Sequence, residues 1–567
     1  MSIAETIVLG SIAFFASVIS DTEKVIQSNY IVFVQKQFDL NFLSDPTKLI
    51  LFTSIIIVLL VAFKNLFQAF VSYWSIRFSS LVEGIFAGKL LSGFLTMPYE
   101  WHLSQNSADL VLVSANWRSY IGRRFISNCL QVVSDSLLVV IMLTTLLLVQ
   151  PIVSLIVISI LGTTSLLLFT SVRKKLDRVS LMSKNLDQSI NKQATKVIHG
   201  FKDVKISGKQ DIFIHKYNNS LYLVSKNYGK QKVIASLPSW LLESMGFFMI
   251  SFSICFMLFF LNYSVARVSG TITLLAVTAW RVLPALNRIL SQLTSIRGVI
   301  PYIDKILNYY RQIQSNEVAC RPLTEPKKIH IDFIDKIRFN NISFKYKNTN
   351  KFALKDISLT IKKGSVIGII GASGAGKSTF VDLLTGLLLP TYGQILVDKI
   401  NLDNYYSRMH WLTKLGYVPQ TPYIFDGTIS ENIAFEIDEK NINKYRVLES
   451  CQMAAMNDFL NDLPSGIDTY IGERGVRLSG GQRQRVSIAR TLYQKPELIV
   501  FDEATSALDN THEKAIQDTI YSLRGKQTMV IIAHRLSTVA SCDVIYEFEK
   551  GLIKSMGTPQ DVLKLSH

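Results

Sequence analysis

The stretch Gly371-Ala-Ser-Gly-Ala-Gly-Lys-Ser-Thr379 follows the apolar run Ser365-Val-Ile-Gly-Ile-Ile370 directly. Its glycines and its Lys-Ser pair have the spacing of a phosphate-binding loop between a buried strand and a helix. The glycines let successive N–H groups point at one phosphate, Lys377 offers a positive charge to the phosphate oxygens, and the Ser378 hydroxyl suits Mg²⁺. A helix that begins near Lys377 adds the favourable field of its N-terminus. The pattern predicts an α/β domain whose nucleotide-binding residues include Gly371, Ala372, Ser373, Gly374, Ala375, Gly376, Lys377, Ser378 and Thr379.

A second apolar run, Leu498-Ile-Val-Phe-Asp-Glu503, ends in an acidic pair. At the end of a buried strand, Asp502 suits Mg²⁺, either directly or through water. Glu503 is placed to polarise an attacking water as a general base. Such a pair could also be a solvated strand end, but the apolar residues before it and Ala504-Thr-Ser-Ala-Leu-Asp509 after it favour the catalytic interpretation.

The charge of the chain is unevenly distributed. Sixty Lys and Arg against 43 Asp and Glu give a formal net charge of +17. The basic residues concentrate in Arg77–Arg124 and Arg173–Lys232, which flank apolar runs, whereas residues 20–48 and 262–270 contain few. This asymmetry follows the positive-inside rule, so the two basic segments are predicted to be cytoplasmic and no nucleic-acid partner is expected.

Apolar runs of membrane length occur only before about residue 300, because about 20 apolar residues are needed to cross a bilayer core. Five segments qualify: Leu49–Tyr73, Cys129–Leu148, Ile152–Val172, Leu237–Tyr263 and Thr271–Ser295. A sixth run, Ile3–Ile19, is short and begins almost at Met1. We therefore expect a misassigned or shortened N-terminus.

Long polar stretches of helical pattern join the second span to the third and the fourth to the fifth. They predict spans that continue into the cytoplasm and turn through short transverse helices near Tyr99–Asn116 and Gly200–Lys216, which would touch the ATPase domain. The predicted boundaries are 1–300 for the membrane domain, 301–330 for a linker and 331–567 for the α/β domain.

An apolar stripe of Ile31, Val34, Phe38 and Phe42 marks a helix within Ser28–Ser44. This helix either packs on the membrane domain or lies in the outer headgroup layer, where it could touch the tail of a lipid substrate.

Arginines in the last predicted span are the most informative charges of the membrane half. Arg281 and Arg288 are two turns apart on one helix face, and Arg77 lies at the inner end of the second span. Because charges at bilayer depth face a partner or a water-filled cavity, we predict a cavity in which these arginines grip phosphate oxygens. Alternatively, they pair with Glu5, Glu243 or backbone carbonyls, or Arg288 reaches the cytoplasmic headgroups.

Two further motifs complete the nucleotide site: Leu478-Ser-Gly-Gly-Gln482, and His534 after the apolar run Thr528-Met-Val-Ile-Ile-Ala533. With them, residues 330–567 resemble the nucleotide-binding domain of an ABC transporter. Because nothing in the catalytic set is degenerate, two copies of this chain should make two competent sites, which favours a homodimer. The resemblance implies a head-to-tail dimer with two ATP molecules at its interface. It also implies roles for individual residues: Tyr346 stacks on adenine, Gln420 senses Mg²⁺ and water, His534 contacts the γ-phosphate, Asp509 bridges the halves, and Ser479, Gly480, Gly481 and Gln482 close on the partner's ATP.

The membrane half resembles bacterial flippases for lipid-linked oligosaccharides. The similarity lies in Glu5-Thr6, Pro98-Tyr-Glu100, Leu237-Pro-Ser-Trp240, Gly246-Phe247 and Arg281-Val-Leu-Pro-Ala-Leu-Asn-Arg288. It implies a bundle of about six spans, of type I exporter form, fused to an α/β P-loop ATPase domain. It also implies a multi-pass protein of the bacterial inner membrane with a cytoplasmic ATPase, moving a polyprenyl-diphosphate glycan. Ser239 stands where the relative has an arginine, so the cationic lining is expected to be thinner.

Other interpretations remain open at this point. The substrate could be a lipid A-type glycolipid, a drug or a peptide, although no segment resembles a peptidase domain. A non-transport ATPase is disfavoured by the apolar segments, and a regulated channel would be distinguished by passive conductance.

Overall fold

The structure is a computed structural model that describes residues 7–8, 10–12, 14–15, 18–19, 22–28, 31, 35, 45–149, 151–259, 265–316, 331–347, 349–436, 438–504, 518, 522–533 and 535–565. The chain divides into two compact units. The first unit comprises Met1–Met97 and Gln105–Cys320, and the second comprises Pro98–Ser104 and Arg321–His567.

Helices make up the described part of residues 22–315. They are α1 (Thr22–Ile26), α2 (Pro46–Thr96), α3 (Tyr99–Ser104), α4 (Ser107–Val111), α5 (Ser127–Val149), α6 (Pro151–His199), α7 (Phe201–Ile206), α8 (Gln210–Phe259) and α9 (Val265–Ser315). Two π-helical segments, Leu112–Asn116 and Tyr120–Ile126, precede α5. Of these helices, α3 belongs to the second unit.

The long helices exceed the thickness of a bilayer. Helix α2 has 51 residues and is therefore about 76 Å long, against about 30 Å for a hydrocarbon core. It begins at Pro46, after the N-cap Asp45, whose side chain accepts a hydrogen bond from the Thr47 N–H. The long helices extend beyond the predicted spans, and short helices lie near Tyr99–Asn116 and Gly200–Lys216, namely α3, α4 and α7. That these extensions are cytoplasmic remains a prediction.

Among the described residues, three helical segments are long and apolar enough to cross a membrane: Pro46–Thr96, Tyr120–Leu148 and Ser154–His199. They coincide with the first three of the five predicted spans of membrane length. Leu237–Tyr263 overlaps α8 and Thr271–Ser295 lies within α9, but many of their side chains lie outside the described set, as does much of Ile3–Ile19. In the predicted helix Ser28–Ser44, Ile31 is buried with Val18 and Leu49, whereas Val34, Phe38 and Phe42 lie outside the described residues.

The second unit is built on two sheets. Its strands are β1 (Lys336–Phe344), β2 (Leu354–Lys362), β3 (Val366–Gly371), β4 (Tyr392–Val397), β5 (Ile400–Asn401), β6 (Leu415–Val418), β7 (Leu498–Asp502), β8 (Thr528–Ile532), β9 (Val544–Glu549) and β10 (Leu552–Gly557). Its other helices are α10 (Lys377–Leu384), α11 (Tyr405–Leu412), α12 (Ile429–Ala434), α13 (Lys444–Met453), α14 (Asn457–Asn461), α15 (Gly480–Tyr493), α16 (Leu536–Val539) and α17 (Pro559–Leu565).

The larger sheet has the order β10-β9-β3-β8-β7-β6. Its strands pair in parallel except β10, which runs antiparallel to β9. A smaller antiparallel sheet has the order β2-β1-β4-β5. Because the carboxyl ends of parallel strands meet at one edge, the residues after β3, β6, β7 and β8 come together there.

Both faces of the parallel sheet are buried. In β7, Ile499 and Phe501 belong to one hydrophobic cluster, whereas Leu498 and Val500 belong to another. Strands β3 and β8 alternate in the same way. Burial on both faces explains why these strands are continuous apolar runs in the sequence.

The predicted fold class, a helical bundle with apolar spans joined to an α/β P-loop domain, is confirmed. Helix α9 continues to Ser315, so the first half of the predicted linker, 301–330, is helical. The exact domain boundaries remain predictions.

Candidate functional site

The phosphate loop joins β3 to α10 with an unusual backbone. Gly371 has φ +150° and Gly376 has φ +106°, a region that residues with a Cβ atom rarely adopt. A Cβ on Gly376 would lie 2.6 Å from Leu354 Cδ2 and 3.0 Å from the Ala353 carbonyl oxygen. One on Gly371 would collide with the Phe548 carbonyl oxygen. The glycines are therefore required by close packing as well as by conformation.

Lys377 is the first residue of α10, after the N-cap Gly376. Its Nζ donates hydrogen bonds to the carbonyl oxygens of Gly371 at 2.7 Å and Ala372 at 3.1 Å, which hold the ammonium group over the loop. Burial lowers the pKa of Lys377, although the carboxylates of Glu503 and Asp502 act in the opposite direction.

Asp502 ends β7, as predicted, and accepts a hydrogen bond from the Tyr417 hydroxyl at 2.9 Å. Burial raises the pKa of Asp502 and the neighbouring Glu503 raises it further, whereas the Tyr417 hydrogen bond and Lys377 lower it. Sequence analysis missed Tyr417. Its place in β6, which pairs with β7, is the signal that could have identified it.

Glu503 and Gln420 contact each other. The Gln420 amide donates to Glu503 Oε2 at 2.6 Å. Glu503 has φ +48°, and its N–H donates to the Ile532 carbonyl oxygen at 3.0 Å, on β8. The left-handed backbone turns the chain sharply after Asp502. Two neighbouring carboxylates can thereby face different surroundings.

A cavity of about 680 Å³ lies between the phosphate loop, Gln420 and Glu503. Predicted residues among its lining are Tyr346, Ser373, Gly374, Ala375, Gly376, Lys377, Ser378, Thr379, Gln420 and Glu503. The Tyr346 and Thr379 hydroxyl groups form a hydrogen bond of 3.0 Å. Phe352, Lys550 and Gly551 also line the cavity and were not predicted. The Lys-Gly turn between β9 and β10 is the only sequence signal for the last two.

The donor set fits a nucleotide with Mg²⁺. Backbone N–H groups at a helix N-terminus and an ammonium group suit phosphate, and a serine hydroxyl with an acidic strand end suits the cation. Ser378, Gln420 and Asp502 would hold Mg²⁺. The bound ion would neutralise charge on the phosphate oxygens.

The motif Leu478–Gln482 begins α15, with Ser479 as the N-cap. The Ser479 hydroxyl accepts from the Gln482 N–H at 3.2 Å, and Gln482 Oε1 accepts from the Ser479 N–H at 2.8 Å. Ser479, Gly480, Gly481 and Gln482 are not among the described residues that line the cavity. Asp509 and His534 lie outside the described residues.

Within the second unit, α3 contacts the loop that carries Tyr346. Lys347 Nζ lies 3.1 Å from Glu100 Oε2. A hollow of about 220 Å³ is lined by Glu100, Trp101, Leu103, Ser104, Tyr346 and Lys347. This pair was not predicted, although a helix near Tyr99–Asn116 was expected to touch the ATPase domain.

The first unit contains a cavity of about 880 Å³ between α2, α5 and α9. Arg288 is among the residues that line it, and it forms an ion pair of 2.8 Å with Asp135 on α5, an acidic partner other than the Glu5 or Glu243 of the alternative interpretation. Asp135 was not named by sequence analysis. A lone acidic residue inside the predicted span Cys129–Leu148 was the available signal.

The other two arginines that were predicted to line a cavity, Arg77 and Arg281, differ from Arg288. Arg77 on α2 is exposed and lies over the Trp74 ring at 5.4 Å from its centroid. It is not among the described lining residues, whereas Trp74, Ile76 and Phe78 are. Arg281 lies in α9, but its side chain is outside the described set, as is the alternative partner Glu5.

Comparison with known proteins identifies the ATPase part and the fold. The family model "ABC transporter" matches residues 354–506. A bacterial Atm1-family ABC exporter with ATP bound has the same fold, with a TM-score of 0.79, 22% identity and coverage of 99% of this chain and 96% of that chain.

Curated relatives include an ATP-dependent lipid A-core flippase of Wigglesworthia glossinidia brevipalpis, 32% identical over 69% of this chain and 66% of the relative. The flippase of the same name from Escherichia coli K12 is 30% identical over 69% of this chain and 66% of the relative. Multidrug resistance protein 1 of Entamoeba histolytica is 33% identical over 65% of this chain and 29% of the relative. The chain thus spans at most 66% of the length of these relatives. Together with the motifs and the fold, these matches show that the chain belongs to the ABC transporter family.

Proposed function

We propose that this protein hydrolyses ATP and uses the free energy to move an amphipathic substrate across a membrane. The observation that carries the proposal is the second unit's cavity, in which the phosphate loop, Gln420 and Glu503 converge, in a chain that also has membrane-length apolar helices. Binding of Mg-ATP there, with Glu503 as general base, gives phosphoryl transfer to water by positioning and electrostatic stabilisation.

Each residue then has a role. Lys377 and the loop N–H groups hold the phosphates, Tyr346 stacks on adenine, and Ser378, Asp502 and Gln420 hold Mg²⁺. The hydrogen bond from Gln420 to Glu503 orients the carboxylate toward water at the cavity. His534 at the γ-phosphate and Asp509 between the halves complete the proposed set.

The catalytic part of the proposal is tested with the full chain in detergent. Glu503→Gln should keep ATP binding and lose turnover, because the amide cannot accept the proton from water. Lys377→Ala should lose nucleotide affinity, measured with a fluorescent ATP analogue. Hydrolysis at the wild-type rate by Glu503→Gln would reassign the general base.

We further propose that two copies form a homodimer with both ATP molecules at the interface. Among the described residues that line the cavity, none comes from Ser479–Gln482 of the same chain. These residues lie at the N-terminus of α15, which suits the γ-phosphate of a partner's ATP. Light scattering of Glu503→Gln should show a compact dimer that ATP stabilises. EDTA should reverse this effect because it removes Mg²⁺. A monomer under both conditions would contradict this.

For the substrate, we propose a lipid-linked oligosaccharide with a polyprenyl diphosphate, moved across the bacterial inner membrane by a multi-pass protein with a cytoplasmic ATPase. The support is the arginine motif that ends in Arg288, which lines a cavity between the helices. A phosphorylated glycolipid of the lipid A type is the second candidate, favoured by the names of two relatives. Stimulation of ATPase activity by each lipid, added at equal mole fraction, ranks the two.

A further inference from the structure

The ion pair between Arg288 and Asp135 is asymmetric in its exposure. Arg288 donates through Nε to both carboxylate oxygens at 3.1 and 3.2 Å, and through Nη2 to Oδ1 at 2.8 Å. The Asp135 side chain is 10% exposed, whereas that of Arg288 is 50% exposed. The carboxylate is therefore covered by the helices, and the guanidinium group faces the cavity.

The polar group extends beyond the ion pair. The Gln292 amide donates to Gln131 Oε1 at 2.9 Å and to Asp135 Oδ2 at 3.3 Å. Gln292 is only 8% exposed, and its Oε1 has no hydrogen-bond partner within the part of the chain that the structure describes. A buried acceptor without a donor is unfavourable, and Gln292 is also one of the residues that line the cavity.

One wall of the cavity is largely apolar and suits a hydrocarbon chain, although Gln68, Ser72 and Ser75 also contribute to the lining. Helix α2 contributes Phe70, Val71, Trp74, Ile76 and Phe78 to its wall. Asp135 lies six residues after the predicted cytoplasmic start of its span at Cys129, and is therefore about 9 Å deep. A lipid headgroup entering from the inner leaflet would reach the ion pair while its tail lay along α2.

We propose that Asp135 is an internal counter-ion which a phosphate headgroup displaces from Arg288 when a lipid enters this cavity. The proposal rests on the proposed transport of lipid-like substrates. Phosphate and carboxylate both accept two parallel hydrogen bonds from guanidinium, so they compete for the same donors. Asp135 keeps the arginine paired when the cavity contains no anion, which avoids the large cost of an unpaired charge at this depth.

Displacement also explains how the cavity would select among headgroups. A phosphate monoester or diphosphate carries more negative charge than the carboxylate that it replaces, whereas a zwitterionic choline headgroup carries no net charge. The former can displace Asp135 from Arg288, and the latter cannot. Asp135 thereby sets a charge threshold for entry.

The test measures binding of fluorescent phosphatidic acid and phosphatidylcholine, with matched acyl chains, to the full chain in detergent without ATP. Asp135→Asn should bind phosphatidic acid about tenfold more tightly than the wild type, an affinity ratio equivalent to about 1.4 kcal/mol, with phosphatidylcholine unchanged. Thr144→Ala, which removes a hydroxyl from the exposed face of the same helix, is the matched control and should leave both affinities unchanged. Equal or weaker binding of phosphatidic acid by Asp135→Asn would overturn the proposal and make Asp135 a positioning residue.

A second variant tests the proposal if Asp135→Asn alone does not fold. Asp135→Asn with Arg288→Gln removes both charges together, so that neither is left unpaired. It should bind phosphatidic acid no better than phosphatidylcholine. A retained preference for phosphatidic acid would locate phosphate binding elsewhere and overturn the proposal.

The same variants separate the two phosphate sources. A polyprenyl diphosphate or a phosphorylated glycolipid that uses this cavity should bind Asp135→Asn more tightly than the wild type, and unchanged affinity for both would count against the proposal. Because these measurements need no ATP, absence of ATP-driven movement in the wild type would remove the proposed function while leaving a tightened Asp135→Asn as support for the counter-ion.

Discussion

At the scale of single residues, contacts around the acidic pair separate two carboxylates that are adjacent in sequence. Asp502 accepts a hydrogen bond from Tyr417, and Glu503 accepts one from Gln420. Both donors come from β6 or the residues that follow it. Strand β6 therefore orients both acidic groups, one proposed for Mg²⁺ and the other for water.

Removing the Tyr417 hydroxyl should weaken the Mg²⁺ site. In Tyr417→Phe, Asp502 loses a donor worth about 1–1.5 kcal/mol, and the pKa of its carboxyl group rises further because that hydrogen bond lowers it. Protons should then compete better with Mg²⁺. We expect half-maximal ATPase activity to require about fivefold to tenfold more Mg²⁺, with the difference greater at pH 6 than at pH 8. Tyr445→Phe, at an exposed tyrosine, should not change the Mg²⁺ requirement, and an unchanged requirement in Tyr417→Phe would show that its hydroxyl is dispensable.

Asp398 should make stability depend on pH. Partial burial acts to raise the pKa of its carboxyl group, but hydrogen bonds from the N–H groups of Ile334, Lys336 and Asp335 lower it below the usual value. These bonds are 2.7, 2.7 and 3.0 Å long. A lowered pKa contributes stability above the unfolded value of 3.8, and this contribution is lost as pH falls through the folded value. Asp398→Asn should therefore unfold at a slightly lower temperature than the wild type at pH 7, because solvent screening at this partly exposed site limits the loss of stability, and the difference should shrink below about pH 4. A difference independent of pH would contradict this account.

At the scale of elements, sequence patterns predicted what buried strands and helix termini require. The continuous apolar runs before Gly371 and before Asp502 predicted β3 and β7, because strands covered on both faces have no polar positions. The start of α10 at Lys377 was also predicted. The reciprocal hydrogen bonds between Ser479 and Gln482 were not, since the motif had been considered only for its contact with ATP.

Substitutions at Ser479 should separate the capping role from the anion-binding role. Ser479→Ala removes the N-cap and should cost about 1 kcal/mol of stability. Ser479→Asp is an equally good cap and is favourable at the positive helix terminus, but its charge would repel the γ-phosphate of the partner's ATP. We expect wild-type thermal stability with lost ATPase activity for Ser479→Asp. Retained activity would place the signature motif away from the phosphate.

Two glycines in α2 should respond in opposite ways to the same change. A Cβ on Gly93 would lie 2.6 Å from Ile313 Cδ1 and 2.7 Å from its Cγ2, on α9, whereas no atom of the described residues lies within 4 Å of one on Gly88. Gly93→Ala should lower the free energy of unfolding by about 1–3 kcal/mol and so lower the thermal midpoint. Gly88→Ala should raise stability by up to about 1 kcal/mol, through helix propensity. Equal effects in thermal unfolding of the full chain would show that the two helices adjust freely at this crossing.

At the scale of the whole molecule, the ATPase part was more predictable than the membrane part. Phosphate chemistry restricts a few residues at fixed spacing, so Lys377, Asp502 and Glu503 could be proposed as site residues from motifs alone. A cavity between helices depends on which faces meet, and a helical pattern does not specify the partner helix. That is why Arg288 was predicted and its counter-ion Asp135, 153 positions away, was not.

The same limit applies to the substrate. An arginine at membrane depth indicated phosphate, but the charge available to a ligand depends on the side chains that neutralise it. Pairing with Asp135 changes Arg288 from an open phosphate site into one that an anion enters by competition. Headgroup charge, rather than glycan structure, is the property that we expect this cavity to read first.

The measurement that tests the central claim most directly is ATP-dependent translocation in proteoliposomes. A labelled polyprenyl-diphosphate oligosaccharide and a labelled lipid A-type glycolipid are followed in parallel, with the wild-type chain and with Glu503→Gln as the blank. We predict movement of at least one of them by the wild type with Mg-ATP, and no movement by Glu503→Gln. Movement at the same rate without ATP, or in both proteins alike, would contradict an ATP-driven transporter.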